Sequence, residues 1–325
     1  MLNHYAVLLD EASYTLGDLD LTALIEQVDH WDRYPATESG QRYERLENAS
    51  IAVINKVRLD AELIASLPHL KLILLTATGT DNVDLDACRA SGITVCNVSD
   101  YGTPSVAQHV FSLILALSTN LLNYANETAS GAWSQATHFS TLSYPISELQ
   151  DKTLGLIGYG TLAKGVEKLA RAFDMQIVIA QRPGGEPQAG RLVIDELLAQ
   201  SDVVSLHCPL VDNTFHLIDA EALQKMKSSA ILINTARGAV VDNAALAEAL
   251  KSGEIKGAGI DVLEQEPPPA DHPLLQPDVP NVIVTPHVAW ASLEARQRLL
   301  DKVAGNLQAW LKGEKIVDVA GHRLI

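Results

Sequence analysis

Four short stretches of this chain carry residue types that could do chemistry together. VTPHVAW places His287 after a Thr-Pro turn and before Trp290, and GIDVLEQEPP supplies Asp261 and Glu266. INTARGAVVD supplies Thr235 and Arg237, and GLIGYGTLA supplies Gly158, Gly160 and Ala163. A carboxylate bonded to a histidine stabilises the imidazolium, which keeps a proton available near neutral pH. A guanidinium fork can hold a carboxylate and a neighbouring carbonyl at once. Taken together with a glycine-rich turn in one sheet these groups favour catalysis, with His287 as a candidate proton donor, Glu266 as its partner and Arg237 as a candidate ligand-binding group. Taken singly, each also has a plain reading as a loop acid, a loop histidine or a surface arginine.

The glycine stretch follows the strand TLGLI and opens a helix. In G-x-G-x-x-G/A the first Gly permits a tight turn, the second admits a pyrophosphate to the backbone, and the third position needs only a small residue. The helix start then offers N–H donors and partial positive charge to an anion. At the end of the next strand a carboxylate would bond the ribose 2′-hydroxyl of NAD. Here the strand ends in Gln181-Arg182, with no acid. That removes repulsion toward a 2′-phosphate and leaves an arginine to pair with one, so the expected cofactor is NAD(P)H, leaning to NADP(H).

Positioning these groups takes a repeated strand–helix framework, and the sequence supplies it. AVLLD, IAVIN, LKLILLTA and ITVCN read as strands, then TLGLIG, QIVIA, DVVSLH, AILINT, KGAGIDV and NVIVTP, with amphipathic segments between. Strands apolar on both faces imply parallel sheets covered on two sides. A chain of 325 residues with so many runs reads as two α/β units. The break lies near DYGTPSVAQHV, where Thr103 would cap a helix and Pro104 take its first position. That helix is expected to run to about Asn123, long enough to bridge two domains. A last helix from near Ser292 to Gly313 would return to the first domain.

Composition narrows the partners. The formal net charge is −16, which opposes nucleic acid and anionic membranes as general partners. Cys88, Cys96 and Cys208 are too scattered for a disulfide framework or a zinc site, and no metal is expected. The N-terminus lacks a signal-peptide pattern, and SVAQHVFSLILALS is too short to span a bilayer, so a cytoplasmic protein is expected.

Nearly the whole chain resembles the D-isomer-specific 2-hydroxyacid dehydrogenase family. TGTDNVDLDACRASGITVCNV is similar to its substrate-domain signature, followed in order by the glycine loop, HCPLVDNT, INTARGAVVD, GIDVLEQEPP and TPHVAW. Within the family, YGTPSVAQHV and TPHVAWAS look most like glycerate dehydrogenases, also called hydroxypyruvate reductases. The resemblance implies two Rossmann-like parallel-sheet domains. One is a flavodoxin-like substrate domain from residues 1–101 and 288–325; the other is an inserted NAD(P)-binding Rossmann domain, 102–287. It also implies a homodimer acting on a small 2-keto or 2-hydroxy acid.

Carried over by position, the resemblance gives Arg237 the substrate's carboxylate and keto oxygen, His287 the proton, and Glu266 the orientation of His287. Asp261 would hold the nicotinamide carboxamide. Thr78, Thr161, Leu162, Cys208, Pro209 and Thr235 match positions that touch cofactor, with Gly158, Gly160, Gln181 and Arg182. Backbone N–H groups at Thr78 and Gly79 would help bind the substrate carboxylate. Gln181 departs from the family's usual acid, and Ala163 from its third Gly. Trp290 is bulkier than usual, which suits a tight pocket and short acids such as hydroxypyruvate or glyoxylate. Phosphoglycerate dehydrogenase is a second enzyme reading, but the chain ends at VDVAGHRLI with no added domain. Formate dehydrogenases carry Gln where Glu266 stands. A dinucleotide-sensing binding protein on the same fold is the reading from another class, and it would need a partner surface or added tails.

Overall fold

A computed structural model describes residues 4–321. The chain forms two compact units: residues up to Gly102 together with those from Ala291 onward, and Thr103–Trp290.

In the first unit, strands β1 (Tyr5–Leu8), β2 (His30–Arg33), β3 (Ile51–Ile54), β4 (Leu72–Leu75) and β5 (Thr94–Cys96) alternate with helices α1 (Thr22–Ile25), α2 (Arg42–Leu46), α3 (Ala61–Ala65) and α4 (Leu85–Ala90). All pairings are parallel, in the order β2-β1-β3-β4-β5, which is the flavodoxin-like order. β3 and β4 are buried along their whole length, which is why IAVI and LILL carry no polar residue. β2 is the strand that the run of apolar segments does not show. HWDR lies at the sheet edge, its residues half-buried or exposed, so no apolar pattern marks it.

The second unit begins with α5 (Thr103–Ser118) and α6 (Leu121–Ala129). It continues as β6 (Thr153–Ile157), α7 (Thr161–Ala172), β7 (Gln176–Ile179), α8 (Ile194–Gln200), β8 (Val203–Leu206), α9 (Ala220–Lys225), β9 (Ile231–Asn234), α10 (Asn243–Ser252), β10 (Gly257–Ile260) and β11 (Val282–Val284). The sheet is parallel, in the order β11-β10-β9-β8-β6-β7. Strand order reverses at β6, and in open α/β sheets the crevice for ligands lies at the carboxyl end of that switch point. The glycine turn follows β6 directly. One core packs α8, α9 and α10 on one face of the sheet, and a second packs α5 and α7 on the other.

The final helix, α11 (Leu293–Leu311), belongs to the first unit, with Ser292 accepting from the Ala295 N–H at 3.2 Å and Gly313 at φ +69° just beyond its end. Arg296 clamps Asp18 through two bonds of 2.9 and 2.8 Å, holding that carboxyl well below the usual carboxylate range.

Three details differ from the sequence reading. The helix from Thr103 stops at Ser118 and turns by 62° into α6, because Asn120 adopts a left-handed φ of +53°. It therefore stops short of Asn123, and all of it belongs to the second unit. Thr103 does not act as a side-chain cap: its Oγ1 is buried with no hydrogen-bond partner among the described residues, and its methyl packs where a side chain on Gly165 of α7 would go. The units divide at 102/103 and 290/291, because the Ala289 N–H is bound to Asp261 and Trp290 packs on the α5 core.

Candidate functional site

β9, β10 and β11 run side by side, with Asn234 level with Ile260 and Ile260 level with Val284. The segments that follow carry Arg237, Asp261, Glu266 and His287, so all four lie off one edge of one sheet. His287 Nδ1 is 2.6 Å from Glu266 Oε2, and the other carboxylate oxygen of Glu266 accepts from the Leu263 N–H at 2.9 Å. An imidazole bonded to a carboxylate through Nδ1 carries its hydrogen there, which leaves Nε2 as the atom to exchange a proton.

The Arg237 turn is built onto the same frame. A Cβ on Gly238 would lie 1.9 Å from the Leu263 carbonyl carbon, so only glycine lets this turn lie against the strand end that positions Glu266. Asn234, fully buried, accepts from the Ala236 N–H at 3.0 Å and donates to the Arg237 carbonyl at 2.9 Å. Arg237 in turn donates from Nη1 to the Ala236 carbonyl at 2.8 Å.

Asp261 is 1% exposed and its oxygens are turned to the loop that carries His287. Oδ1 accepts from the Thr285 hydroxyl at 2.5 Å and the Val288 N–H at 3.0 Å, and Oδ2 accepts from the Ala289 N–H at 2.9 Å. His109 of α5 reaches the same point, with Nε2 at 3.0 Å from Thr285 Oγ1 and 3.4 Å from Asp261 Oδ1. The His287 N–H bonds the Asp261 carbonyl at 2.8 Å, and His287 itself holds a φ of +54°. A non-glycine residue with positive φ is costly and persists where its surroundings fix it. Here the fixing groups are identified. The resemblance assigns Asp261 to the nicotinamide carboxamide; in the structure its partners are the loop's own donors. Trp290 likewise turns its indole N–H onto the His287 carbonyl at 3.0 Å and packs, half-buried, on the α5 core.

The two glycines of the turn after β6 are there for separate reasons. Gly158 has φ +87°, and a Cβ there would meet the backbone of His207 and Cys208 at 2.6 Å, so the fold itself requires glycine. Gly160 has no such requirement: its φ is −96° and a Cβ would meet nothing within 4 Å. The empty space over Gly160 lies at the start of α7, where Thr161 and Leu162 are exposed and the first-turn N–H groups point out. Cys208 and Pro209 lie on the facing loop, the Cys208 thiol pushed up to about 11 by burial and the Pro209 carbonyl bonded by Thr214 Oγ1 at 2.7 Å. Burial pushes His207 down to about 4, so it remains neutral under the turn. Thr235 Oγ1 is buried and has no hydrogen-bond partner among the described residues, as expected of a group whose partner is a ligand.

Gln181 donates from Nε2 to the Gly185 carbonyl at 3.0 Å, so its amide shapes the loop after β7; Arg182 beside it is exposed. Thr78 and Gly79 belong to the first unit, at the carboxyl end of β4. Thr78 is held there by bonds from its hydroxyl to the Val98 carbonyl and from Asn97 Nδ2 to its own carbonyl, both 2.7 Å.

Sequence reasoning missed Asn234, Thr285 and His109. Asn234 and Thr285 stand inside motifs already singled out, and a polar residue closing an apolar strand was the available signal. His109 had none, since a histidine within an apolar helix says nothing of a loop far along the chain.

Residues 111–289 match the family model described as D-isomer specific 2-hydroxyacid dehydrogenase, NAD binding domain. The chain is 48% identical over 271 residues to a glycerate dehydrogenase of Methylorubrum extorquens, covering 83% of this chain and 85% of that one. It is 35% identical over 317 residues to a hydroxypyruvate reductase of Blautia hydrogenotrophica, covering 95% and 98% respectively. Among solved structures, an NADPH-dependent glyoxylate/hydroxypyruvate reductase of Sinorhizobium meliloti, in complex with NADP and malonate, superposes with a TM-score of 0.80 at 26% identity, covering 97% of this chain and 96% of that one. Family model, relatives and sheet topology agree, and the chain is an oxidoreductase belonging to the D-isomer-specific 2-hydroxyacid dehydrogenase family.

Proposed function

We propose that the enzyme reduces hydroxypyruvate or glyoxylate to D-glycerate or glycolate, with NAD(P)H as cofactor and a lean toward NADP(H). The observation that carries the chemistry is the 2.6 Å bond between His287 Nδ1 and Glu266 Oε2 on the sheet edge that also bears Arg237. Bound at the glycine turn, the reduced nicotinamide supplies hydride to the substrate's C2. Negative charge then builds on the keto oxygen, and His287 Nε2 delivers its proton to that oxygen to complete the hydroxyl. Glu266 stabilises the imidazolium before transfer and fixes the ring's orientation. Arg237 binds the substrate carboxylate and the keto oxygen together, so the carbonyl is held and polarised by one group. Trp290 limits the side chain to a short one.

The named relatives support the short hydroxy and keto acids, and the NADP complex of the Sinorhizobium enzyme supports a phosphorylated cofactor. The absence of an acid at Gln181-Arg182 points the same way. The direct test follows cofactor oxidation by the purified enzyme, with NADH and NADPH each against hydroxypyruvate, glyoxylate, pyruvate and phosphohydroxypyruvate. Fastest turnover is expected with hydroxypyruvate and NADPH. Clear preference for NADH would remove the cofactor lean alone, and silence with all four acids would remove the substrate assignment.

A homodimer belongs to the same proposal, as does a cytoplasmic location, with which three buried free thiols are consistent. α6 buries none of its residues, and the segment after it leaves Phe139 93% and Leu142 91% exposed, beside exposed Leu121, Leu122, Trp133 and Ile146. Such a run of apolar side chains suits an interface with a second copy. Phe139→Glu with Leu142→Glu is expected to halve the mass measured by light scattering. An unchanged mass would place the dimer contact elsewhere.

A further inference from the structure

The loop after β7 brings a second arginine to the glycine turn. After Gln181-Arg182 the chain loops out, closed by the bond from Gln181 Nε2 and by the Gly185 N–H on the Arg182 carbonyl at 2.9 Å. It then returns along the open edge of β7: the Leu192 N–H bonds the Ile179 carbonyl at 3.0 Å, and the Gln181 N–H bonds the Leu192 carbonyl at 2.7 Å. Main-chain bonds therefore fix Arg191 beside the end of β7 rather than on a free loop.

Its guanidinium carbon lies 4.8 Å from the ring centroid of Tyr159, the residue between Gly158 and Gly160. Tyr159 is braced from behind, its hydroxyl donating to Glu167 of α7, which Arg171 also bonds. Lys164 Nζ stands 5.7 Å from the same ring. Glu167, the carboxylate bonded to Tyr159, is thus already engaged by Tyr159 and Arg171. Neither Arg182 nor Arg191 makes an ion pair among the described residues, although the chain carries a net charge of −16. A cation stacked on an aromatic ring keeps its N–H edge available and loses less freedom on binding an anion.

We infer that Arg191 is a specificity-determining residue, which binds the 2′-phosphate of the adenosine ribose together with Arg182. The inference rests on the NADP(H) reading above and goes beyond it by naming a residue that the strand-end rule does not reach. Tyr159 is the platform that aims the guanidinium.

Calorimetry with adenosine 2′,5′-bisphosphate and with 5′-AMP, on the wild-type enzyme and on Arg191→Gln, tests it without turnover. Loss of one charge-assisted contact is expected to weaken the bisphosphate about ten- to thirty-fold. Affinity for 5′-AMP, which lacks the 2′-phosphate, should move less than about twofold, and Arg191→Lys should recover part of the loss. The NADPH-to-NADH ratio of kcat/KM should fall by a similar factor. If the wild type favours the bisphosphate and Arg191→Gln favours it by the same factor, Arg191 is not the contact and the inference fails alone. If the wild type binds the two nucleotides equally, the NADP(H) reading fails and takes the inference with it.

Discussion

His287→Gln is expected to lower kcat for hydroxypyruvate by about 10²–10⁴-fold while changing the NADPH dissociation constant by less than about twofold. Glutamine can keep a polar group near Glu266, so the loop should hold its shape, but it has no proton to give at neutral pH. On the proposed mechanism the loss falls on the chemical step, because His287 would act on the keto oxygen, whereas the cofactor's phosphates would be held by the glycine turn. Rapid-mixing kinetics paired with cofactor fluorescence would separate the two quantities. If kcat barely moves, the proton comes from another group, and the bond to Glu266 serves the loop alone.

Asp261→Asn should be the next most damaging change, and its pattern distinguishes two roles for the residue. The carboxylate accepts from Thr285, Val288 and Ala289, and an amide of the same size must turn an NH2 toward one set of these donors. A buried donor left unsatisfied costs about 1–3 kcal/mol, which for a unit of this size is a fall in melting temperature of roughly 2–12 °C. His287 is joined to Asp261 through the backbone, so release of the loop should relax its φ of +54° and cut kcat by about ten- to a hundred-fold. Cofactor affinity should change little. If instead affinity collapses while the melting temperature holds, the nicotinamide carboxamide is the residue's main partner, as the resemblance implies.

Much of the architecture could be read before any coordinates, for physical reasons that also explain the omissions. Buried central strands such as IAVI and LILL must be apolar on both faces, and the glycine turn needs Gly158 to avoid the backbone of Cys208. Such constraints are local and leave local marks. β2 left none, because an edge strand half in water can be HWDR. The stop at Ser118 was equally hidden: the apolar face of α5 continues into Leu121 and Leu122, while Asn120 in a left-handed turn sends those two into solvent. In the site, the types and order of Arg237, Glu266 and His287 were legible. The groups that aim them were not: Thr285 and His109 act through bonds between segments far apart in sequence, and Asn234 bonds locally inside a turn whose shape its residue types do not spell out.

The two points where the chain passes from one unit to the other bear on how it can be cut and rejoined. Within the second unit, Ser105 Oγ donates to the Ala289 carbonyl at 2.7 Å, so its first turn and its last residues lie side by side. Within the first, Arg298 Nε donates to the Tyr101 carbonyl at 3.0 Å, so the two pieces of that unit also meet where the chain leaves and re-enters. Each unit closes on itself at its own break. The inserted unit has the form of a cassette: Thr103–Trp290 is expected to fold when expressed as one contiguous fragment, and a short linker is expected to join Gly102 to Ala291 in what remains.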